Sequence, residues 1–112
     1  MRRLAAGVAA MMLAGAAAAP AQEAGDAAAG RRLAGSRCAV CHGRDGIAVQ
    51  PDAPNLAGQS PAYVVTQLGH FRSGERKHEQ MNIIAAQLTD RQIADLAAWY
   101  AAIEVTATLP AR

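Results

Sequence analysis

The sequence contains few of the residue types that usually stabilise a small domain. Its 112 residues include two cysteines, one tryptophan, two tyrosines and one phenylalanine. Two cysteines allow at most one intrachain bridge, which excludes a disulfide-rich scaffold. Hydrophobic residues make up 52% of the chain, but 29 of the 112 residues are alanine, which buries little apolar surface. The length therefore predicts one compact domain with a thin core, and such a domain usually depends on a bound metal or cofactor.

The sequence also lacks an excess of charge of one sign. The net charge of +2 comes from Arg2 and Arg3, because nine Arg and Lys residues balance nine Asp and Glu residues from residue 22 onward. A protein that binds the phosphate backbone of a nucleic acid needs a concentrated basic surface. The composition therefore predicts no nucleic-acid partner.

No part of the N-terminal region is long and hydrophobic enough to predict a permanent membrane span. Residues 4–19 form an apolar run of 16 residues, mostly alanine and glycine, whereas a span needs about 20 strongly hydrophobic ones. Arginines before the run and Ala19-Pro20-Ala21 after it are typical of a cleaved secretory signal peptide. We therefore expect a soluble protein in the periplasm. The predicted divisions are a cleaved signal peptide, residues 1–21, a domain, residues 22–105, and a C-terminal tail, residues 106–112.

The sequence shows no strand alternation and no internal repeat, and its periodicity predicts an all-α fold. The predicted helices run from Asp26 to about Val40, from Ser60 to Gly74, and from Thr89 onward. The segments between them, residues 43–59 and 75–88, are predicted to be loops. Loops of this length are unusual in a small domain, so we expect them to surround something other than protein.

Two glycines interrupt the first predicted helix, at Gly30 and Gly35. A glycine inside a helix costs on the order of 1 kcal/mol relative to alanine. These positions therefore predict that another helix crosses the first one at close range.

The chemistry of the chain is concentrated in the motif Cys38-Ala39-Val40-Cys41-His42. The spacing Cys-x-x-Cys-His is typical of covalent attachment of a c-type haem. Each thiol adds across one vinyl group of the haem, and two intervening residues bring both sulfurs to one edge of the porphyrin. The sequence therefore predicts that Cys38 and Cys41 attach one haem c, and that His42 is the proximal ligand of its iron.

Three other interpretations of the cysteines remain open. A thioredoxin-like redox pair would need a βαβ context, which the sequence does not predict. A zinc site could combine Cys38 and Cys41 with His70 and His78, although these histidines are further apart than in common zinc motifs. A structural disulfide across so short a loop would be strained.

Met81 is the predicted distal ligand of the iron. It is the only methionine after residue 21, it lies in the predicted loop 75–88, and a thioether suits iron in its reduced state. The alternatives are a histidine in its place, either His70 or His78, and a methionine that only fills a gap in the core.

Residues 26–103 resemble the class I cytochromes c, in particular small periplasmic bacterial members and one lobe of the two-haem bacterial kind. The resemblance rests on the motif with the glycine that follows it and on Met81. It also rests on residues 25–30, 54–59 and 88–100, which read Gly-Asp-Ala-Ala-Ala-Gly, Pro-Asn-Leu-Ala-Gly-Gln and Leu-Thr-Asp-Arg-Gln-Ile-Ala-Asp-Leu-Ala-Ala-Trp-Tyr. It implies the cytochrome c fold, in which N- and C-terminal helices cross and long loops, with one middle helix, wrap a covalently bound haem.

The resemblance also implies roles for further residues. The carbonyl of Pro54 is expected to accept a hydrogen bond from the His42 ring, Leu56 to pack on the haem, and Gly30 to meet Leu96 and Trp99 where the helices cross.

The implied function is that of a non-enzymatic one-electron carrier in a periplasmic redox chain. Its expected partners are a redox protein donor and acceptor, such as a dehydrogenase or a terminal oxidase. One alternative is a haem subunit docked tightly on a periplasmic dehydrogenase. Another is a gas sensor or peroxidase in which Met81 leaves the iron.

Overall fold

Among the residues that the structure describes, five helices and the irregular segments between them enclose one small core. The structure, a computed structural model, describes residues 15–16 and 24–112 and contains no strand within those residues. The helices are α1 Ala27–Arg37, α2 Ala39–His42, α3 Pro61–Ser73, α4 Glu79–Ala86 and α5 Asp90–Ala102. The predicted all-α class is confirmed.

The described residues do not cover the predicted signal peptide, of which only residues 15 and 16 are included. Its cleavage, and the division into a domain of residues 22–105 and a tail of residues 106–112, therefore stay predictions. None of the helices formed by the described residues is long and apolar enough to cross a membrane.

Helix α1 begins as predicted but ends earlier. The Asp26 carboxylate accepts the N–H groups of Ala28 at 2.8 Å and Ala29 at 3.2 Å, which caps the helix. The predicted continuation to Val40 is wrong, because the backbone leaves regular helical geometry at Cys38, where φ is −116°. The carbonyl of Cys38 then accepts the N–H of His42 at 2.9 Å and starts the single turn of α2.

Helices α1 and α5 cross where Gly30 meets the backbone of Asp95. A methyl group at Gly30 would overlap the Asp95 carbonyl and lie 2.9 Å from Cβ of Trp99. The predicted approach of Trp99 is confirmed, whereas Leu96 is not among the nearest atoms because it points into the core, with 1% exposure. At Gly35 the same test meets nothing within 4 Å, so the close crossing expected there is wrong.

A buried carboxylate fastens the start of α1 to α5. Asp95 is 8% exposed, and its Oδ1 accepts the backbone N–H of Asp26 at 2.7 Å and Nε–H of Arg91 at 3.1 Å. These two donors satisfy a carboxylate that would otherwise be costly to bury.

The predicted loop 75–88 is only partly a loop, because residues 79–86 form α4. The His78 side chain caps this helix by accepting the N–H of Met81 at 3.3 Å. The Asn82 amide donates to the carbonyls of Phe71 and Arg76, both at 2.8 Å. Asn82 thereby fastens the first turn of α4 to the end of α3, a long-range contact that local sequence patterns do not reveal.

The core lies between α1, α3 and α5 and is built largely by α5. Its buried cluster consists of Ala34, Leu88, Ile93, Leu96 and Tyr100. The predicted capping box of Thr89 and Gln92 is confirmed and starts α5. The predicted end of α3 is also confirmed, with Gly74 in the left-handed region at φ +81°.

Candidate haem site

The cysteines of the motif flank and occupy the short helix α2. Cys38 is the residue before this helix, and Cys41 lies three positions later, within its single turn. Both residues are free thiols and partly buried. Free thiols on one helical turn at the edge of the core are in the chemical state that attachment to a haem requires.

His42 is held by a hydrogen bond to the loop that follows the motif. The side chain is 8% exposed, and Nδ1 lies 2.8 Å from the carbonyl oxygen of Pro54. This is the contact that the resemblance predicts. Because a carbonyl oxygen only accepts, Nδ1 carries the proton and Nε2 keeps its lone pair. The ring is therefore in the tautomer that a metal ion needs, with its other nitrogen fixed by the backbone.

The loop of residues 43–60 folds back onto the motif and places Pro54. The carbonyl of Cys41 accepts the N–H groups of Val49 at 3.0 Å and Gln50 at 3.2 Å. The carbonyl of Gly46 accepts the N–H of Leu56 at 2.7 Å. Leu56 is partly buried against the core cluster, and its predicted contact with the haem stays a prediction.

Two buried polar atoms of α5 have no hydrogen-bond partner among the described residues: the Trp99 indole nitrogen and the Tyr100 hydroxyl. The Tyr100 hydroxyl lies near the Cys38 thiol but does not meet hydrogen-bond geometry with it. Burial raises the pKa of Cys38, although the nearby Tyr100 hydroxyl and the charge of Arg37 oppose the shift. Burial also raises the pKa of Tyr100, and the neighbouring Cys38 adds to the effect. Both groups are therefore neutral at pH 7.

Met81 is in the first turn of α4 and half-buried, rather than in a loop. No hydrogen bond, ion pair or ring contact among the described residues links it to the 38–42 motif, so its role as a ligand stays a prediction. The competing histidines both have local partners. Nδ1 of His78 caps α4, and Nε2 of His70 lies 3.3 Å from a carboxylate oxygen of Glu75.

Two arginines near this helix bind other residues of the chain. Arg72 donates to the carbonyl of Leu88 at 3.1 Å and pairs with Asp90 at 2.6 Å. Arg76 donates to Gln67 at 2.8 Å and stacks over Phe71, with 4.6 Å between guanidinium carbon and ring centre. These contacts serve the packing of α3 against its neighbours.

The residues present fit a covalently bound haem better than the other sites considered. Among the described residues, no group of three His, Cys, Asp or Glu side chains is arranged to bind a metal ion by itself. A zinc site from Cys38, Cys41, His70 and His78 is therefore not assembled. The described part of the chain has no strand to support a thioredoxin-like pair, and the two cysteines form no disulfide. A haem would use the two thiols, the free Nε2 of His42 and one further ligand.

The most useful residue that sequence reasoning missed is Asn82, which anchors the helix that carries Met81. The sequence predicts for His78 only a competing role as a metal ligand, whereas the structure shows that its side chain caps that helix. The pattern His-Glu-Gln-Met-Asn contains the only local signal, since a side-chain acceptor followed by an acidic residue is typical of a helix start.

Comparison with known proteins agrees with this geometry. Residues 27–102 match the family model for cytochrome c. Cytochrome c4 of Thiocapsa roseopersicina is 47% identical over 83 residues, which cover 74% of this chain and 43% of that protein. Cytochrome c-554(548) of Halomonas halodenitrificans is 44% identical over 84 residues, which cover 72% of this chain and all of that protein. The chain thus spans less than half of the cytochrome c4 but the full length of the smaller relative.

Solved structures give the same result for the fold. Cytochrome c4 of Acidithiobacillus ferrooxidans superposes with a TM-score of 0.67 and 32% identity, covering 72% of this chain and 51% of that one. A thiosulfate dehydrogenase of Marichromatium purpuratum superposes with a TM-score of 0.64 and 37% identity, covering 76% of this chain and 20% of that one. The chain belongs to the cytochrome c family: it is a class I c-type cytochrome with one covalent haem c, similar to one lobe of cytochrome c4.

Proposed function

We propose that this chain is a one-electron carrier of a periplasmic redox chain, with its haem bonded to Cys38 and Cys41 and the iron held by His42 and Met81. The observation that carries the proposal is the 2.8 Å contact between Nδ1 of His42 and the Pro54 carbonyl. A backbone carbonyl that accepts the Nδ1–H of a ligand histidine fixes the ring and raises the basicity of its other nitrogen. The loop contacts at Cys41 and Gly46 hold Pro54 in place, so His42 is oriented by the fold itself.

Met81 is the distal ligand in this proposal because the structure engages its competitors elsewhere. One ring nitrogen of His78 caps α4, and His70 pairs with Glu75. The bond between Met81 and His78 uses the Met81 backbone N–H, and the thioether takes no part in any hydrogen bond of the described residues. Asn82 holds the same turn against α3, which positions the backbone that carries Met81.

Two protein ligands on the iron favour electron transfer over chemistry on a substrate. Bound haem supplies one-electron exchange between ferrous and ferric iron. With His42 and Met81 both in place, no coordination position is open for a gas or a peroxide. The half-buried setting of Met81 and the 8% exposure of His42 limit access of water to these ligands.

A patch of exposed aliphatic side chains beside the motif suits contact with a redox partner. Val40, between the two cysteines, is 80% exposed, and Val49 is 66% exposed. The N–H of Val49 is bonded to the Cys41 carbonyl at 3.0 Å, so both valines lie at the motif. An apolar surface here can release its water when the donor or acceptor binds next to the haem, and the contact then needs no ordered network of polar bonds.

The N-terminal sequence supports the proposed location in the periplasm. Arg2 and Arg3, the apolar run and Ala19-Pro20-Ala21 support export with removal of residues 1–21. Covalent attachment agrees with this location, because in c-type cytochromes the thiols react with the haem vinyl groups after the chain has been exported.

A second candidate function is a subunit docked on a dehydrogenase. Its support is the superposition on part of a thiosulfate dehydrogenase, of which this chain covers 20%. In that case the patch around Val40 and Val49 would be buried in a stable complex, and the same redox chemistry would serve one partner only.

Redox titration of the exported protein, followed by addition of carbon monoxide to the reduced form, tests this proposal. We expect a reversible one-electron transition and an unchanged spectrum with carbon monoxide. Rapid binding of carbon monoxide would contradict the carrier function and indicate a sensor or peroxidase. Purification from the native host distinguishes a free carrier from a docked subunit, because a docked subunit would elute together with a larger chain.

A further inference from the structure

Tyr100 is a buried aromatic residue whose hydroxyl has no hydrogen-bond partner in the described part of the chain. Its side chain is 2% exposed and, with Leu96, is one of the largest fully buried side chains. The hydroxyl oxygen makes no hydrogen bond with any described residue. Leaving a buried hydroxyl unpaired costs free energy, and most such groups in folded proteins do have a partner. A buried phenol without one is therefore expected to find an acceptor among the groups that lie close to it.

The ring of Tyr100 is held in a fixed position beside the motif. Its backbone carbonyl accepts the N–H of Gly58 at 2.8 Å. A Cβ placed on Gly46 would lie 3.1 Å from the Tyr100 ring, so loop and ring are in close contact. Cys38 packs against the same cluster of which Tyr100 is a member. The Tyr100 hydroxyl and the Cys38 side chain are therefore neighbours. The contacts of Tyr100 with Gly46 and Gly58 hold the phenol ring in this position.

We propose that in the haem-loaded protein the Tyr100 hydroxyl donates a hydrogen bond to the sulfur of Cys38. The inference rests on the proposed attachment at Cys38. When a thiol adds across a vinyl group, a C–S and a C–H bond form, the S–H bond and the C=C π bond are lost, and no electron leaves. The resulting thioether sulfur has lone pairs but no hydrogen, so it can only accept. Tyr100 is then the donor and the positioning residue for this attachment point.

The raised pKa of Tyr100 agrees with this role. Burial raises the pKa of the Tyr100 hydroxyl above its ordinary value. The phenol is therefore protonated at pH 7 and can donate a hydrogen bond.

The test compares Tyr100→Phe with wild type in the haem-loaded protein, with Tyr63→Phe as the matched control because Tyr63 is 48% exposed. Mass spectrometry of the haem peptide first establishes whether Cys38 is bonded to the haem. NMR of the reduced protein then follows the Cβ protons of both cysteines, so Cys41 serves as the internal control. The unfolding temperature and the pH dependence of the midpoint potential are also measured for the wild type and both variants.

We expect Tyr100→Phe to keep both thioether bonds, to lower the unfolding temperature and to shift the Cβ protons of Cys38 but not those of Cys41. Tyr63→Phe should change none of these. An increase in unfolding temperature would mean that the hydroxyl stays unpaired, and unchanged Cys38 signals would exclude the sulfur as acceptor. A changed pH profile of the potential would assign the hydroxyl to a haem carboxylate instead. A haem peptide without a bond at Cys38 would overturn the attachment itself, separately from the hydrogen bond.

Discussion

The backbone N–H of Met81 donates to Nδ1 of His78 at 3.3 Å, so a histidine that competes with Met81 for the iron is the N-cap of the helix that carries Met81. Because Nδ1 accepts this N–H, the neutral ring of His78 carries its proton on Nε2, which then has no lone pair to offer the iron. Met81 has no such constraint on its side chain. The structure therefore links helix capping to the choice of the distal ligand.

Replacing Asn82 with alanine tests whether α4 positions Met81. Asn82 donates to two carbonyls and accepts the N–H of His78 at 2.8 Å. Its loss should destabilise the protein by about 3 kcal/mol, because three hydrogen bonds of this kind are lost at roughly 1 kcal/mol each. It should also speed carbon monoxide binding to the reduced protein, because Met81 would leave the iron more often. Gln80→Ala, a change at an exposed neighbour, is the control, and equal effects of both changes would contradict the role of Asn82.

The crossing of α1 and α5 gives a prediction with a control in the same helix. Gly30→Ala should destabilise the protein by about 1–3 kcal/mol, because the new methyl group overlaps the Asp95 carbonyl. Gly35→Ala should be neutral or stabilising by about 0.5–1 kcal/mol, since that position faces open space. Denaturant unfolding of both variants measures the difference. Similar free energies for the two would mean that the helices do not cross at Gly30.

Local patterns predicted the parts of this fold that depend on neighbouring residues. The capping box at Thr89, the cap at Asp26 and the stop at Gly74 each need only residues within one turn, and all three are present. The motif at residues 38–42 identified the cofactor for the same reason. The contact of His42 with Pro54 came from the family resemblance, and the structure contains it.

The errors concern features that depend on long-range packing. Helix α4 was missed because its start relies on His78 as a cap and on Asn82 reaching the end of α3. Gly35 was grouped with Gly30, although only the tertiary crossing decides which glycine meets α5. The unpaired hydroxyl of Tyr100 likewise depends on packing among three segments, which no periodicity specifies.

The acid side of the stability curve should depend on Asp26. Hydrogen bonds from the N–H groups of Ala29 and Ala28 lower the pKa of this carboxyl in the folded protein. Its contribution to stability is therefore complete above the ordinary Asp pKa of about 3.9 and is lost as the pH falls through the lowered value. Asp26→Asn should keep an N-cap acceptor but flatten this part of the curve. The measurement is the denaturant midpoint of the wild type and of Asp26→Asn between pH 7 and pH 2. The same pH dependence in both proteins would contradict a contribution of the Asp26 carboxylate.

Covalent attachment predicts the behaviour of the haem on denaturation. In the wild type the haem should stay with the chain through extraction with acidified acetone. Changing Cys38 and Cys41 together to serine should leave a poorly folded chain from which haem extracts freely, because the thin core loses the cofactor that it surrounds. Free extraction from the wild type would contradict attachment at these cysteines.

Met81 is expected to be the second protein ligand of the iron beside His42, and the weak far-red sulfur-to-iron absorption of the ferric protein tests this most directly. This band should be present in the wild type, in His70→Gln and in His78→Asn, which keeps a side-chain cap for α4. It should be absent in Met81→Ala and in Met81→His, and Met81→His should also lower the midpoint potential, since axial ligands set haem potentials over about 0.8 V. A wild type without the band, or a band that survives Met81→Ala, would contradict the account and assign the iron to another ligand.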